Sequence, residues 1–230
     1  MESIREQLQR WSQSLCQEIS VDGLYTRCPI AHKWKAPYRS CGIREALLWR
    51  MHDLGQQTVL LAEQGHVRGA RILLRSAIET LAVLIYLNQK MEAVVAGKLS
   101  LFEFDERTRQ LLMGSKNGAT SMAAVNILTV LAHAEKAHPG LTAMHERLSE
   151  SAHPSYDGVL YGYSTTDSER HETRFVNNWA AFFGAEQAPC TAFVFAVFEH
   201  QYNVTWVDQM TRFEQWLREN DDALEAHRDA

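Results

Sequence analysis

Three charged side chains recur at four-residue spacing within an otherwise apolar stretch. Arg71, Arg75 and Glu79 lie on one stripe of an α-helix, together with Arg68. A guanidinium is planar, permanently charged and suited to two parallel hydrogen bonds with a carboxylate or a phosphate. Because one glutamate neutralises one arginine, Arg71 needs a carboxylate from another helix or an anionic ligand. The stripe therefore predicts either a structural ion pair that fixes helix register or an anion-binding site.

The helix that carries this stripe is predicted to be buried at the centre of the fold. Its other faces are apolar over residues 67–89 and are interrupted by only three polar side chains, Ser76, Thr80 and Asn88. A helix that is apolar on so many sides needs neighbours on several of them. A buried charge must be paired, so we expect Glu79 to lie against Arg75.

A second pair of residues with chemical potential is Arg147 and His153. Histidine can transfer a proton, and arginine can stabilise negative charge on a phosphate. The structural alternative is that His153 simply caps the end of a helix over 141–151. A similar pair occurs at Arg27 and His32, so this spacing alone is not specific.

Two segments carry a resemblance to known proteins. Arg75-Ser-Ala-Ile-Glu79, and Leu148-Ser-Glu-Ser-Ala-His153 followed by Pro154, resemble an uncharacterised family of bacterial helical proteins that is itself similar to HEPN-type bundles. The resemblance covers about residues 45–90 and 140–165. It implies an all-helical fold, a homodimer, and a role in phage defence or toxin–antitoxin biology.

The same resemblance implies a metal-independent ribonuclease centre at Arg147 and His153, the candidate catalytic residues, with RNA as its substrate. HEPN nucleases usually have a polar residue directly after the arginine, whereas this chain has Leu148. The other possibility is therefore a protein without enzymatic activity, which binds a ligand or regulates a partner.

The two constellations are predicted to meet in one pocket. We expect His153 to approach the charged stripe, with the segment 154–174 covering the gap and tyrosine hydroxyl groups closing it. Such a pocket would bind a small anion, a phosphate or the end of a nucleotide. The candidate ligand-binding residues are Arg71, Arg75, Glu79, Tyr156, Asp157 and Tyr161.

No metal site and no cofactor are predicted. The segments Glu63–His66 and Glu135–His138 match the Glu-x-x-His element of di-iron bundles, but both lie at helix ends. Three further candidate zinc ligands lack a fourth, Cys28, His32 and Cys41. The sequence contains no Gly-x-Ser-x-Gly motif, phosphate-binding loop or dinucleotide fingerprint.

Composition indicates a soluble cytoplasmic protein with no membrane partner. The chain has 230 residues, of which 46% are hydrophobic, and a net charge of -5. This charge argues against a broad nucleic-acid-binding face. The four cysteines contain no Cys-x-x-Cys pair, which is typical of reduced thiols. We find neither a signal peptide nor an apolar stretch long enough to span a bilayer comfortably.

Hydrophobic periodicity predicts one all-α domain over 1–230, a bundle of about six or seven helices with helix 67–90 at its centre. The last helix, over 189–220, carries an aromatic row suited to the core or to a dimer interface. Irregular loops are expected near 21–41 and 154–174, because both segments lose the helical period. Long loops of this kind are often functional.

Overall fold

Helices dominate the computed structural model, which describes residues 3–228. The α-helices are α1 (Ile4–Ser14), α2 (Val21–Arg27), α3 (Pro29–His32), α4 (Lys35–Glu63), α5 (Val67–Val95), α6 (Leu101–Met113), α7 (Ile127–Ala137), α8 (Leu141–Ala152), α9 (Trp179–His200) and α10 (Trp206–Arg228). Short π-helical turns cover Tyr156–Tyr161 and Gln201–Thr205, and a small antiparallel sheet pairs β1 (Ser164–Asp167) with β2 (Glu172–Phe175). The all-α prediction is confirmed, although residues 3–228 hold ten α-helices rather than six or seven.

The charged stripe belongs to the central helix, as predicted. Helix α5 packs against α4, α6, α7, α8, α9 and α10. Its apolar side chains are almost inaccessible on several faces, as at Leu74, Ile78 and Leu84. Because the helix is enclosed in this way, any charge on it must find its partners inside the protein.

The prediction of an irregular loop over 21–41 is wrong. This segment forms α2, α3 and the beginning of α4. Pro29 occupies the first turn of α3, and Pro37 lies in the first turn of α4. The backbone N–H groups of a first turn have no partner within the helix, so proline is tolerated there. The two prolines therefore mark helix beginnings rather than a loop.

The segment 154–174, also predicted to be irregular, folds into the π-helical turn and most of a β-hairpin. Asp167 closes the hairpin, because its carboxylate accepts hydrogen bonds from the backbone N–H groups of Glu169 and Arg170. The π-helical turn depends on Gly158, where a Cβ atom would lie 1.9 Å from the carbonyl oxygen of His153. The chain thus returns closely over the end of α8.

Three helix boundaries also differ from the predicted ones. The hydrophobic period predicts helices over 42–64 and 120–137, whereas α4 begins at Lys35 and α7 begins at Ile127. The expected last helix is two helices joined by the second π-helical turn, and Pro189 lies inside α9 rather than at its beginning.

By length and composition alone, the helical stretch Trp179–Arg228 could cross a membrane, a test that core helices of soluble proteins also pass.

Candidate anion site between helices α5 and α8

Arg71 is buried between α5 and α8, with only 4% of its surface exposed. Its Nε donates a hydrogen bond of 2.8 Å to the Ser151 hydroxyl, and its Nη2 donates one of 3.4 Å to the Arg147 carbonyl oxygen. The guanidinium lies 4.5 Å from the centre of the Phe183 ring. Within residues 3–228 it forms no ion pair, and burial lowers the pKa of Arg71. Its positive charge is therefore not neutralised by direct contact.

Arg75 and Glu79 form the predicted ion pair one turn along the helix. The Arg75 Nη2 lies 3.2 Å from the Glu79 Oε1, and the same oxygen lies 3.0 Å from the Nε2 of His145. The hydrogen bond from His145 is the main reason why the pKa of Glu79 is lowered. The Arg75 and Glu79 side chains remain 28% and 23% exposed, so the pair is less buried than predicted.

Serines of α8 supply much of the contact with the stripe. The Ser149 hydroxyl accepts a hydrogen bond of 2.8 Å from the Arg75 Nε, and the Ser151 carbonyl oxygen accepts one of 3.2 Å from the Arg68 Nε. The last carbonyl groups of a helix carry partial negative charge, equivalent to about half a unit charge in total. Two arginine charges, those of Arg68 and Arg71, exceed this amount. The helix carbonyl groups alone therefore do not balance the two guanidinium charges.

Aromatic side chains from the 154–174 segment and α9 cover one side of the site. Tyr161 stacks on Tyr156 and on Phe182, with ring centres 5.7 and 4.6 Å apart. The tyrosine hydroxyl that contacts the stripe belongs to Tyr163, which accepts a hydrogen bond of 3.2 Å from the Arg68 Nη1. Tyr156 is 64% exposed, so the two predicted tyrosines form an outer layer rather than the pocket floor.

Asp157 acts on the anion site only through the negative charge of its carboxylate. Its negative charge acts on Arg71, and so does that of Glu186. In the described part of the chain, the Asp157 carboxylate forms neither a hydrogen bond nor an ion pair. Asp157 therefore lies near the predicted pocket without closing it.

Arg147 and His153 are exposed but do not contact each other. The Arg147 side chain is 60% exposed, with its Nη1 3.8 Å from the Glu186 Oε2. His153 is exposed and follows the last residue of α8. Six residues correspond to about 600° of helical rotation, which separates the two positions by about 120° around the axis. Within residues 3–228, no hydrogen bond joins His153 to Arg147 or to the stripe.

Sequence reasoning missed several residues of α8, of the 154–174 segment and of α9 that complete the site. These are His145, Ser149, Ser151, Tyr163 and Phe183. A signal was present for two of them, because His145 and Ser149 are spaced by one helical turn, as Arg75 and Glu79 are. Nothing in the sequence indicates which face of which helix meets this spacing, since that depends on the tertiary packing.

The Glu-x-x-His element at 135–138 has a structural use. The Glu135 carboxylate accepts hydrogen bonds of 2.8 Å from the backbone N–H groups of Gly140 and Thr142, and so caps the beginning of α8. Glu63 forms an ion pair with Arg5. Among the residues that the structure describes, no group of three or more potential metal-binding side chains comes together.

Residues 46–130 match the sequence model of a family of unknown function, DUF5677. The matching part runs from α4 into α7, so it contains the charged stripe but neither Arg147 nor His153. No curated protein and no solved structure shows significant similarity to the chain. Over this central segment, the chain is therefore similar to an uncharacterised family.

Proposed function

We propose that this protein binds a small anion at Arg71, either inorganic phosphate or the phosphate end of a nucleotide, and acts as a ligand-binding or regulatory protein. The observation that carries the proposal is the burial of the Arg71 guanidinium against neutral oxygen atoms and an aromatic ring. Burying a charge without a counter-ion is costly. An anion would remove that cost and gain charge-assisted hydrogen bonds.

The exposed edge of the proposed site is Arg147. Its only ion pair in the described residues is the 3.8 Å contact with Glu186, and both side chains are at least half exposed. An ion pair of this kind contributes only about 0–1 kcal/mol. An incoming anion can therefore replace Glu186 at little cost, which gives the ligand a second guanidinium on the solvent side of Arg71.

Thermal unfolding tests this proposal with phosphate and with a nucleotide, each titrated at low ionic strength. We expect both probes to raise the melting temperature of the parent protein but not that of Arg71→Met. The matched control is Arg39→Met, because Arg39 is also largely buried but has a carboxylate partner in Asp105 at 2.7 Å. An equal rise in Arg71→Met, or no rise in the parent, would contradict the proposal.

A second candidate function is the metal-independent ribonuclease, favoured by the solvent exposure of both Arg147 and His153. Because the two side chains are separated around α8, such an enzyme would need a homodimer to bring two motifs together. Exposed aromatic side chains, Phe175 at 84% and Phe182 at 42%, would supply apolar surface for that contact. The enzyme would act on cytoplasmic RNA.

Cleavage of a labelled single-stranded RNA in the presence of a metal chelator tests this alternative. We expect Arg147→Ala and His153→Ala each to abolish cleavage, while His171→Asn, which changes an exposed histidine in the hairpin turn, retains it. Cleavage that survives in His153→Ala would exclude this centre. If the parent protein does not cleave the RNA, the ribonuclease alternative is also excluded.

A further inference from the structure

A separate cavity of about 270 Å³ lies on the other side of Glu79, between α4, α5, α6 and the beginning of α7. Every residue that lines it belongs to the segment 46–130 that matches the family. One wall is apolar and is formed by Leu47, Val83, Leu111, Val125, Ile127 and Val130. The cavity therefore belongs to the segment that matches the family rather than to the α5–α8 contact.

Two opposite charges lie at the polar end of this cavity. Arg50 donates a 3.1 Å hydrogen bond from its Nε to the Thr80 hydroxyl, and its terminal nitrogens form no hydrogen bond with the rest of residues 3–228. Glu79 uses Oε1 for both Arg75 and His145, while its Oε2 has no such partner there. One cationic and one anionic group therefore remain available to a ligand.

The volume of the cavity limits the size of that ligand. Ligand pockets commonly measure about 300–1,000 Å³, so this one is at the small end. A cavity of this size suits a ligand as small as a single amino acid.

The far wall of the cavity is rigid. A Cβ atom on Gly114 would lie 2.5 Å from the Gln110 carbonyl oxygen and 2.6 Å from the Ala124 Cα, so the backbone there is packed tightly. The Ser115 N–H donates a 2.9 Å hydrogen bond to the Met122 carbonyl oxygen, which closes the segment on itself. A wall fixed in this way presents a preformed surface to a ligand.

We infer that this cavity binds a zwitterionic α-amino acid with an apolar side chain. Its carboxylate would contact Arg50, its ammonium group would contact Glu79, and its side chain would lie against Leu111 and Val130. A simple anion has no positively charged group to contact Glu79, and a simple amine has no negatively charged group to contact Arg50. The site is distinct from the anion site at Arg71, although Glu79 joins the cavity to the charged stripe.

Isothermal titration calorimetry on the full chain tests this inference with leucine and phenylalanine as probes. The matched ligands are isoamylamine, which lacks the carboxylate of leucine, and isocaproate, which lacks its ammonium group. Loss of one charge-assisted hydrogen bond should weaken binding by about tenfold or more. If isoamylamine or isocaproate binds as tightly as leucine, the ligand does not need both charged groups and the inference of a zwitterion is wrong. If neither leucine nor phenylalanine binds, the inference as a whole is wrong.

Variants then locate the site. Arg50→Met and Glu79→Gln should each weaken amino acid binding by about tenfold or more, and Val83→Phe should abolish it by filling the cavity. Arg71→Met and Arg39→Met should bind like the parent, which separates this result from that for the anion site. Circular dichroism confirms that each variant is folded. Unchanged binding in folded Val83→Phe would place the ligand elsewhere and refute the assignment.

Discussion

In the charged cluster between α3 and α10, Arg27 and Lys33 have carboxylate partners, whereas the cluster between α5 and α8 relies mainly on neutral oxygens. Glu214 forms an ion pair with Arg27, and its carboxylate also lies 3.1 Å from the Nε2 of His32. Lys33 lies 2.6 Å from Asp221 and 2.8 Å from Glu225. On the central helix, by contrast, Arg71 contacts a hydroxyl group, a carbonyl oxygen and a ring.

This difference separates two uses of buried charge. A cation that already has a carboxylate holds two helices together and has little left to offer a ligand. A cation held by neutral groups contributes less to stability and retains an electrostatic field that attracts an anion. The end of α8 explains part of the arrangement, because helix carbonyl groups stabilise nearby cations. They do not carry enough charge to balance both Arg68 and Arg71.

The largest expected effect on stability is at Glu214. Glu214→Ala leaves His32 and Arg27 without their shared carboxylate at a site where the His32 side chain is 1% exposed. Leaving a buried polar group without its partner costs about 1–3 kcal/mol, and more when the lost partner is charged, so we expect a loss of about 3 kcal/mol in the free energy of unfolding. Urea denaturation measures it. Glu219→Ala, on the exposed part of the same helix, should unfold like the parent.

Arg71→Met should cost less, although Arg71 is the more deeply buried side chain. The substitution removes a desolvated charge and leaves the Ser151 hydroxyl and the Arg147 carbonyl oxygen without a donor, for which we expect about 1–2 kcal/mol. The same urea experiment, without phosphate, measures this loss. A loss as large as that of Glu214→Ala would show that the α5–α8 cluster is structural, and the contrast between the two clusters would disappear.

Glu79→Ala should have a still smaller effect. The sequence predicts that Arg75 and Glu79 form a buried ion pair, and removing Glu79 from such a pair would lower the free energy of unfolding by about 3–5 kcal/mol. Water can replace the lost carboxylate beside Arg75, whose side chain is 28% exposed, so the loss of the His145 hydrogen bond should account for most of a cost of about 1 kcal/mol. The double variant Arg75→Ala/Glu79→Ala isolates the coupling between the two side chains. A coupling energy near zero would assign the stabilisation to His145 instead.

The central helix and its ion pair could be predicted because their signals are local. Apolar coverage of several faces required burial of α5, and four-residue spacing required Arg75 and Glu79 to be neighbours. The spacing of Ser100 and Glu103 likewise predicts a capping box from local sequence, and this box is present at the beginning of α6.

The partners of the stripe could not be predicted in the same way. Ser149 and Ser151 meet α5 only because α8 packs against it with one particular face, and residue spacing contains no information on that choice. Pro29 and Pro37 do not distinguish a loop from a helix beginning, because proline both ends helices and is tolerated in the first turn of the next one. Exposure of Glu79 likewise depends on the neighbouring cavity, which forms only in the folded chain.

The smallest expected effect is a pH dependence that arises from the α3–α10 cluster. Burial lowers the pKa of His32 below its ordinary value of 6.5, despite the opposing effect of Glu214. In the unfolded chain His32 recovers that value and binds more protons than in the folded state over the interval between the two pKa values. The free energy of unfolding therefore rises with pH across this interval and falls as the pH drops below 6.5.

At acidic pH the α3–α10 cluster also gains uncompensated positive charge, as in the α5–α8 cluster. The reason is that protonated His32 and Arg27 then share the single carboxylate of Glu214. Urea denaturation between about pH 5 and pH 7 measures the change. We expect His32→Gln, which keeps a hydrogen-bond donor but cannot titrate, to reduce the slope, and His66→Gln, at an exposed histidine, to leave it as in the parent. Burial also lowers the pKa of His52, His133 and His138, so part of the slope should persist. A slope in His32→Gln equal to that of the parent would show that these other histidines account for all of it, and that the charge balance around Glu214 does not change with pH.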